Sequence, residues 1–198
     1  LPEISIVLPV YNGSKTVEKS IMSIVNQTFQ NWELVIVDDG SVDGSFHLCQ
    51  KIAQQEQRIR LYKNETNLGL AATMNRLVGL AKGKYIGVQE HDDFAMPYRL
   101  QMEWDLLESK PEIGLVSGIA EFLDDDGQVL MTFPGILAND NQYPQDNKQM
   151  VAFLFVNQAK VVNAACMFRK SIVDAMPMPF DEQAKLSIDF QFFIHVAQ

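Results

Sequence analysis

The sequence predicts an α/β protein, a mostly parallel sheet with helices on both faces. Three observations carry this. Strand-like and helix-like segments alternate from the first residues onward, the order that builds parallel sheets from crossover units. Two apolar strand-like runs stop abruptly on carboxylates, as strands do when their carboxyl ends open onto a ligand crevice. The chain is 198 residues long, 47% hydrophobic and 21% charged, which suits one good-sized core in a single domain.

Each element has its own signal. Residues 4–8 form a short apolar run, read as a buried strand. Ser14 is placed to cap a helix whose Val17, Ile21, Ile24 and Val25 share one face. Residues 34–37 are the second strand, followed by a polar turn and a helix through Phe46 and Ile52. Residues 59–62 are a short third strand. The next helix carries Leu70, Met74, Leu77, Val78 and Ala81, and Gly83 ends it before a fourth strand at Tyr85. Pro97 starts a helix with Leu100, Trp104 and Leu107 on one side, closed by Pro111.

The second half is less regular. Residues 113–122 and 129–133 read as two strands joined by the turn Asp124-Asp125-Asp126-Gly127. Residues 139–148 are polar and read as a loop, and 161–168 as another strand. Ser187 is placed to cap a last helix with Phe190, Phe193, Ile194 and Ala197 on one face. There is no internal repeat and no low-complexity segment.

Composition excludes several functions. Net charge is −9 and no Lys/Arg run could track a nucleic-acid backbone, so no nucleic-acid partner is expected. Cys49 and Cys166 lie far apart in apolar contexts, as free buried thiols in a reducing compartment would. No stretch approaches the roughly 20 apolar residues of a membrane span. Residues 4–10 are too short and lack the basic leader of a signal peptide. The first residue is not Met and residues 192–198 stop inside a helical pattern, so the chain reads as an excised domain truncated at its C-terminus.

The chemistry concentrates at the strand ends. The run Tyr85-Ile86-Gly87-Val88 passes through Gln89 into Glu90-His91-Asp92-Asp93, three carboxylates within four positions. Such a cluster either holds a divalent cation or repels itself. Leu34-Val35-Ile36-Val37 likewise runs into Asp38-Asp39-Gly40-Ser41. Two acidic strand ends point to a metal-assisted site for a phosphate-bearing ligand. The run Asp124 to Asp126 is read as a turn, and His47 and His195 have no partner at metal-ligand spacing.

Five blocks together resemble family 2 glycosyltransferases, in that family's order and spacing. They are residues 5–12 (Ser-Ile-Val-Leu-Pro-Val-Tyr-Asn), Val37-Asp38-Asp39-Gly40-Ser41, Asn67-Leu68-Gly69, residues 81–86 (Ala-Lys-Gly-Lys-Tyr-Ile) and Glu90-His91-Asp92-Asp93. The resemblance covers nearly the whole chain. It implies a GT-A (Rossmann-like) fold with a nucleotide-sugar-binding half, residues 1–95, and a smaller mixed acceptor-binding half, residues 96–198.

The same resemblance implies roles. Pro9, Tyr11 and Asn12 stand at the mouth of the first strand, where Tyr11 can lie against a base; the ordinary alternative is a turn. Asp39, with Asp38 beside it, would read the nucleoside, and Asn67 belongs to the same donor site; helix capping is the alternative for Asp38. Glu90-His91-Asp92 occupies the family's Asp-x-Asp position, with Asp92 as direct ligand of Mn²⁺ or Mg²⁺. Glu90 departs from the usual first Asp, and its longer arm suits contact with the metal through water or with the ribose; Asp93 assists. Ser187-Ile188-Asp189-Phe190 resembles the late helix that carries the catalytic base, making Asp189 that base, although Ile188 replaces the usual Glu. Asp181 and Glu182 are the next candidates.

The implied activity is metal-dependent and inverting: sugar transfer from a nucleotide-diphosphate donor, UDP-sugar favoured, to an acceptor hydroxyl. The acceptor would be a glycan or a lipid-linked glycan in polysaccharide synthesis. The expected location is cytoplasmic, peripheral at the inner face of the membrane, with membrane association only through segments absent here. Two other readings stay open: a nucleotide-sugar-binding domain without turnover, and a sugar-phosphate nucleotidyltransferase. The second should carry a Gly-rich loop with an Arg after strand one, where this chain has Tyr11-Asn12-Gly13-Ser14-Lys15.

Overall fold

The computed structural model describes residues 1–124, 126–133, 149, 161–184 and 188–197. Four strands run parallel: β1 (Ile4–Val10), β2 (Trp32–Asp38), β3 (Ile59–Lys63) and β4 (Tyr85–Val88). Between them come α1 (Val17–Val25), α2 (Ser45–Ala53) and α3 (Leu70–Leu80); α4 (Arg99–Ser109) follows β4. Then come β5 (Leu115–Ser117), β6 (Ala120–Leu123), β7 (Val129–Phe133) and, after a 3₁₀ turn at Asn163–Ala165, β8 (Cys166–Arg169). The helices α5 (Lys170–Asp174) and α6 (Ile188–Val196) complete the described chain.

The main sheet has the order β3-β2-β1-β4-β8-β5, with β8 antiparallel to both neighbours. After β3 the chain returns to pair β4 on the other side of β1. The order therefore reverses between β1 and β4, the place where an open α/β sheet leaves a crevice at its strand ends.

Burial follows the pleat. Ile4, Ile6 and Leu8 of β1 point to one face, with α1, Cys49 of α2 and Leu100 and Leu107 of α4. Val7, Val35 and Val37 point to the other, against Met74 and Leu77 of α3 and Phe192 and Phe193 of α6. Strands covered on both faces read as continuous apolar runs, which is why they were legible. Both cysteines are free and buried, and burial together with nearby Asp38 pushes the Cys49 thiol up to about 12.

At the amino-terminal edge of the sheet, polar groups are tied down. The Ser5 hydroxyl donates to Glu33 at 2.6 Å, and the Lys82 amide and Arg60 guanidinium also donate to Glu33. The Gly83 amide donates to Ser5 Oγ at 2.8 Å. A Cβ on Gly83 would lie 2.6 Å from the Ser5 nitrogen and 2.8 Å from the Ile4 carbonyl carbon, so the residue is a contact point as much as a helix stop.

Several sequence expectations need correction. Ser14 caps nothing: Thr16 stands at the helix start without a side-chain cap, and the Ser14 amide donates to Asp43 instead. The single strand expected over residues 113–122 is interrupted at Gly118 and Ile119, although the Gly118 amide still bonds the Ala165 carbonyl at 2.7 Å in line with the β5–β8 register. Its halves join different sheets: β5 the main one, β6 a hairpin with β7. The strand expected from residue 161 begins only at Cys166, after the 3₁₀ turn. In the turn between β6 and β7, Asp124 accepts from the Asp126 and Gln128 amides. The polar loop at 139–148 and the Ser187 cap lie outside the described residues.

Candidate donor and metal site

Four loops leave the carboxyl ends of β1 to β4 and meet at the crevice. The first two are bolted together. Asn12, in the left-handed region at φ 51°, accepts from the Val42 amide through Oδ1 at 3.0 Å, and its own amide donates to Ser41. The Gly13 amide donates to Ser45 Oγ, and Asp43 accepts from Ser14 and Ser45. Against a desolvation cost, the Ser45 hydroxyl and these amides hold the Asp43 carboxyl well below the usual range.

Asp38 and Asp39 diverge. Asp38 is fully buried; Oδ1 accepts from the Ser41 amide at 3.0 Å, and Oδ2 has no partner among the described residues. Asp39, 4% exposed, turns to the crevice. Its Oδ1 accepts from Asn64 Nδ2 at 2.7 Å and the Leu68 amide at 2.8 Å; its Oδ2 accepts from the Gly69 amide at 3.0 Å. The loop between β3 and α3 is thus wrapped around this one carboxylate. Gly40 lets it approach: at φ 75°, a Cβ there would stand 2.7 Å from the Thr66 carbonyl carbon.

The third acidic feature is held from behind. Gln89 is fully buried, and its amide nitrogen donates to Asp93 O at 2.7 Å, Ser20 Oγ at 3.1 Å and Glu90 O at 3.2 Å. Its Oε1 accepts from Arg99, which also donates to the Val88 and Cys166 carbonyls and pairs with buried Glu103 at 3.0 Å. The Ser20 hydroxyl donates to Glu90 O at 2.7 Å. On this support Glu90, Asp92 and Asp93 each bring one carboxylate oxygen to within 4.8 Å of the others. Glu90 is half-buried, while Asp92 and Asp93 are exposed.

Electrostatics match this crowding. Burial pushes the Glu90 carboxyl up, a hydrogen bond from Asn163 Nδ2 at 2.8 Å opposes it, and Asp93, Asp92 and Asp189 push it further. Asp93 is raised by desolvation and by Asp92, with Arg99 and His91 opposing. Asp189, half-buried in the first turn of α6, is therefore in electrostatic reach of Glu90 although 99 positions separate them in sequence.

A cavity of about 300 Å³ joins these parts. Of the sequence candidates, Pro9, Tyr11, Asp39, Asn67, Glu90 and Asp92 line it. Asn12 and Asp38 stand behind the wall as loop ties, and Asp93 enters only through the carboxylate cluster. Asp189 approaches from the α6 side. Sequence reasoning missed Asn64, Thr73, Met74, Gln89, Arg99 and Asn163. A single Gln at the end of an apolar strand was the one available hint for Gln89; an isolated Asn gave none for Asn64 or Asn163. No Lys or Arg is among the described lining residues, whose polar side chains are carboxylates, amides, the Tyr11 and Thr73 hydroxyls and one imidazole, His91.

Comparison with known proteins bears on family and fold. The family model described as glycosyl transferase family 2 matches residues 5–176. An uncharacterized glycosyltransferase, MJ1057, of Methanocaldococcus jannaschii is 30% identical over 196 residues, 98% of this chain and 64% of that protein. The crystal structure of S. aureus TarS 1-349 superposes with TM-score 0.75 at 18% identity, covering 98% of this chain and 55% of that one. The mannosyltransferase PcManGT from Pyrobaculum calidifontis, in complex with GDP-Man and Mn²⁺, gives TM-score 0.66 at 17% identity over 92% of this chain and 48% of that one. The chain spans about half to two thirds of the length of the curated relatives it matches first.

Proposed function

Since the chain belongs to glycosyl transferase family 2, we propose that it is the GT-A part of a metal-dependent, inverting glycosyltransferase. It moves a sugar from a UDP-sugar to an acceptor hydroxyl on a glycan or lipid-linked glycan. The observation that carries this reading is the carboxylate trio Glu90, Asp92 and Asp93 at a cavity that, among the described residues, has no lining Lys or Arg. A diphosphate cannot sit against three carboxylates unless a cation intervenes. Oxygen ligands at this spacing suit Mn²⁺ or Mg²⁺, which when bound neutralises the charge that develops on the departing diphosphate.

The chain's own residues supply the rest. Tyr11 offers a face to the nucleobase, and Asp39 has its remaining acceptor capacity on Oδ2, suited to a base imino N–H. Pro9 and Asn67 border the nucleoside, while Glu90 and Asp93 share the ribose and metal side. Asp189, near the amino end of α6 where the helix dipole favours an ionised acid, takes the proton of the acceptor hydroxyl. The hydroxyl oxygen then attacks the anomeric carbon in line as the bond to the diphosphate oxygen breaks, and nucleoside diphosphate departs. Residues 1–95 serve as the donor half and 96–198 as the acceptor half.

The TarS complexes with UDP and UDP-GlcNAc and the PcManGT complex with GDP-Man support a nucleotide-sugar donor by fold likeness. No helix among the described residues is long and apolar enough to cross a membrane. The proposed working place is the cytoplasm, peripheral at the inner membrane face. Calorimetric titration of UDP with and without Mn²⁺, on the wild type and Asp92→Ala, tests the assignment. Metal-dependent binding lost in the variant is expected; absence of binding by UDP, GDP or any other nucleoside diphosphate would remove the donor site.

A further inference from the structure

Asn64 is a polar side chain behind the cavity with bonds to three neighbours, and nothing in the proposed reaction yet uses it. It is 3% exposed at the end of β3. Its Nδ2 donates to Asp39 Oδ1 at 2.7 Å and to Thr73 Oγ1 at 3.1 Å, and its Oδ1 accepts from the guanidinium of exposed Arg76. Its backbone amide donates to Asp38 O at 2.8 Å. All the hydrogen-bonding capacity of this amide side chain except one lone pair is therefore spent on aligning neighbours.

We propose that Asn64 is a positioning residue for base recognition: with the Leu68 amide it saturates Asp39 Oδ1, so that Asp39 presents a single acceptor, on Oδ2, to the nucleobase. Each carboxylate oxygen accepts about two hydrogen bonds. Oδ1 already has two donors, from Asn64 and Leu68, and Oδ2 has one, from Gly69. Among the described residues nothing else donates to it, which leaves one lone pair on a buried, cavity-lining carboxylate. It pairs with the imino N–H of uracil or guanine, and it faces a lone pair when cytosine or adenine offers its ring nitrogen. Arg76 acts one step further out: by drawing on Asn64 Oδ1 it fixes which end of the amide faces Asp39 and strengthens the Nδ2 donors.

The inference rests on the nucleotide-sugar reading above and deepens it. The test is calorimetric titration of UDP, GDP, CDP and ADP in saturating Mn²⁺, on wild type, Asn64→Ala and Arg76→Ala. Wild type is expected to bind UDP or GDP at least tenfold tighter than CDP and ADP. In Asn64→Ala, Asp39 can turn, and that preference should fall about tenfold with the affinity for Mn²⁺ alone unchanged. In Arg76→Ala, an exposed change that spares the core, it should fall two- to threefold. General loosening of the loop would weaken all four nucleotides alike and leave the ratio intact. Should Asn64→Ala not fold, the Arg76→Ala ratio decides. An unchanged ratio in a variant that folds, while wild type still binds in a metal-dependent way, overturns the role of Asn64 alone. Wild type that binds no nucleotide overturns the donor-site reading and this inference with it.

Discussion

Replacing Gln89 with leucine removes the keystone of the acidic loop while nearly conserving volume. The buried amide nitrogen makes one short bond, to Asp93 O at 2.7 Å, and shares two longer ones with Ser20 and Glu90 O. Its Oε1 also accepts from Arg99 at 3.0 Å, a charge-assisted bond. A neutral bond contributes about 1 kcal/mol net and one to a charged group about 1.5–3 kcal/mol. Two effective neutral bonds and one charged bond sum to about 4 kcal/mol, and the greater apolarity of leucine offsets roughly 1 kcal/mol of that. Urea denaturation should therefore show about 2–4 kcal/mol of lost stability. Because the same bonds fix the backbone of Glu90 and Asp93, Mn²⁺ affinity should drop about tenfold. Gln89→Glu separates the two effects: it keeps the acceptor for Arg99 but sets a carboxylate against two carbonyls, so the metal loop should suffer at least as much. A leucine variant within about 0.5 kcal/mol of wild type, with unaltered Mn²⁺ binding, would refute the reasoning.

Other perturbations test separate parts of the structure. Gly83→Ala drives a Cβ to 2.6 Å from the Ser5 nitrogen, backbone that cannot step aside, and should cost about 1–3 kcal/mol in denaturation without altering the nucleotide preference. The Glu33 carboxyl, despite burial, is held below its ordinary value by Ser5, Arg60 and the Lys82 amide. Its folded value is the lower one, so its stabilisation is present above the ordinary Glu range near about pH 4.3 and is lost as pH falls through the folded value. Denaturation midpoints measured across that acid window should flatten in Glu33→Gln. Asp189→Asn should retain UDP binding and lose about 10²–10⁴-fold in turnover with a competent donor and acceptor; turnover near wild type would move the base elsewhere.

How much of this was readable beforehand depends on how local each signal is. The four parallel strands and their helices announce themselves through apolar runs and one-faced helix patterns, because both faces of the sheet are covered. The carboxylates at the strand ends were legible for the same reason: charge directly after a buried strand is conspicuous. The break between β5 and β6 was not, since it shows only in their partners: β5 pairs with β8, distant in sequence, and β6 with β7. Nor was the antiparallel insertion of β8 beside β4, because periodicity within a strand says nothing of its partner. Asn64, Asn163 and Arg99 escaped because each acts through side-chain bonds to residues distant in sequence. The helix cap assigned to Ser14 failed because the helix starts two residues later, with Thr16 at its N-cap position.

The two acidic strand ends look alike in sequence and differ in what surrounds them, which gives opposite predictions for one kind of substitution. Asp39 is surrounded by donors: Asn64 Nδ2 and the Leu68 and Gly69 amides converge on it. Asp39→Asn would turn an NH₂ toward at least one of those N–H groups and leave it unpaired in a buried site, costing about 1–3 kcal/mol of stability with or without metal. Asp92 has no such shell among the described residues; its carboxylate lies within 4.8 Å of two others and is exposed. At that separation in water each like-charge pair costs about 1 kcal/mol before screening. Asp92→Asn should therefore stabilise the metal-free protein, by up to about 2 kcal/mol from its two pairs at low salt and less as salt rises. With saturating Mn²⁺ the order reverses, because only the wild type gains binding energy from the ion. Thermal unfolding of wild type, Asp39→Asn and Asp92→Asn, each with chelator and with Mn²⁺, reads all of these at once. If Asp92→Asn is destabilised in chelator, the trio is held together by internal bonds and is not a site waiting for a cation.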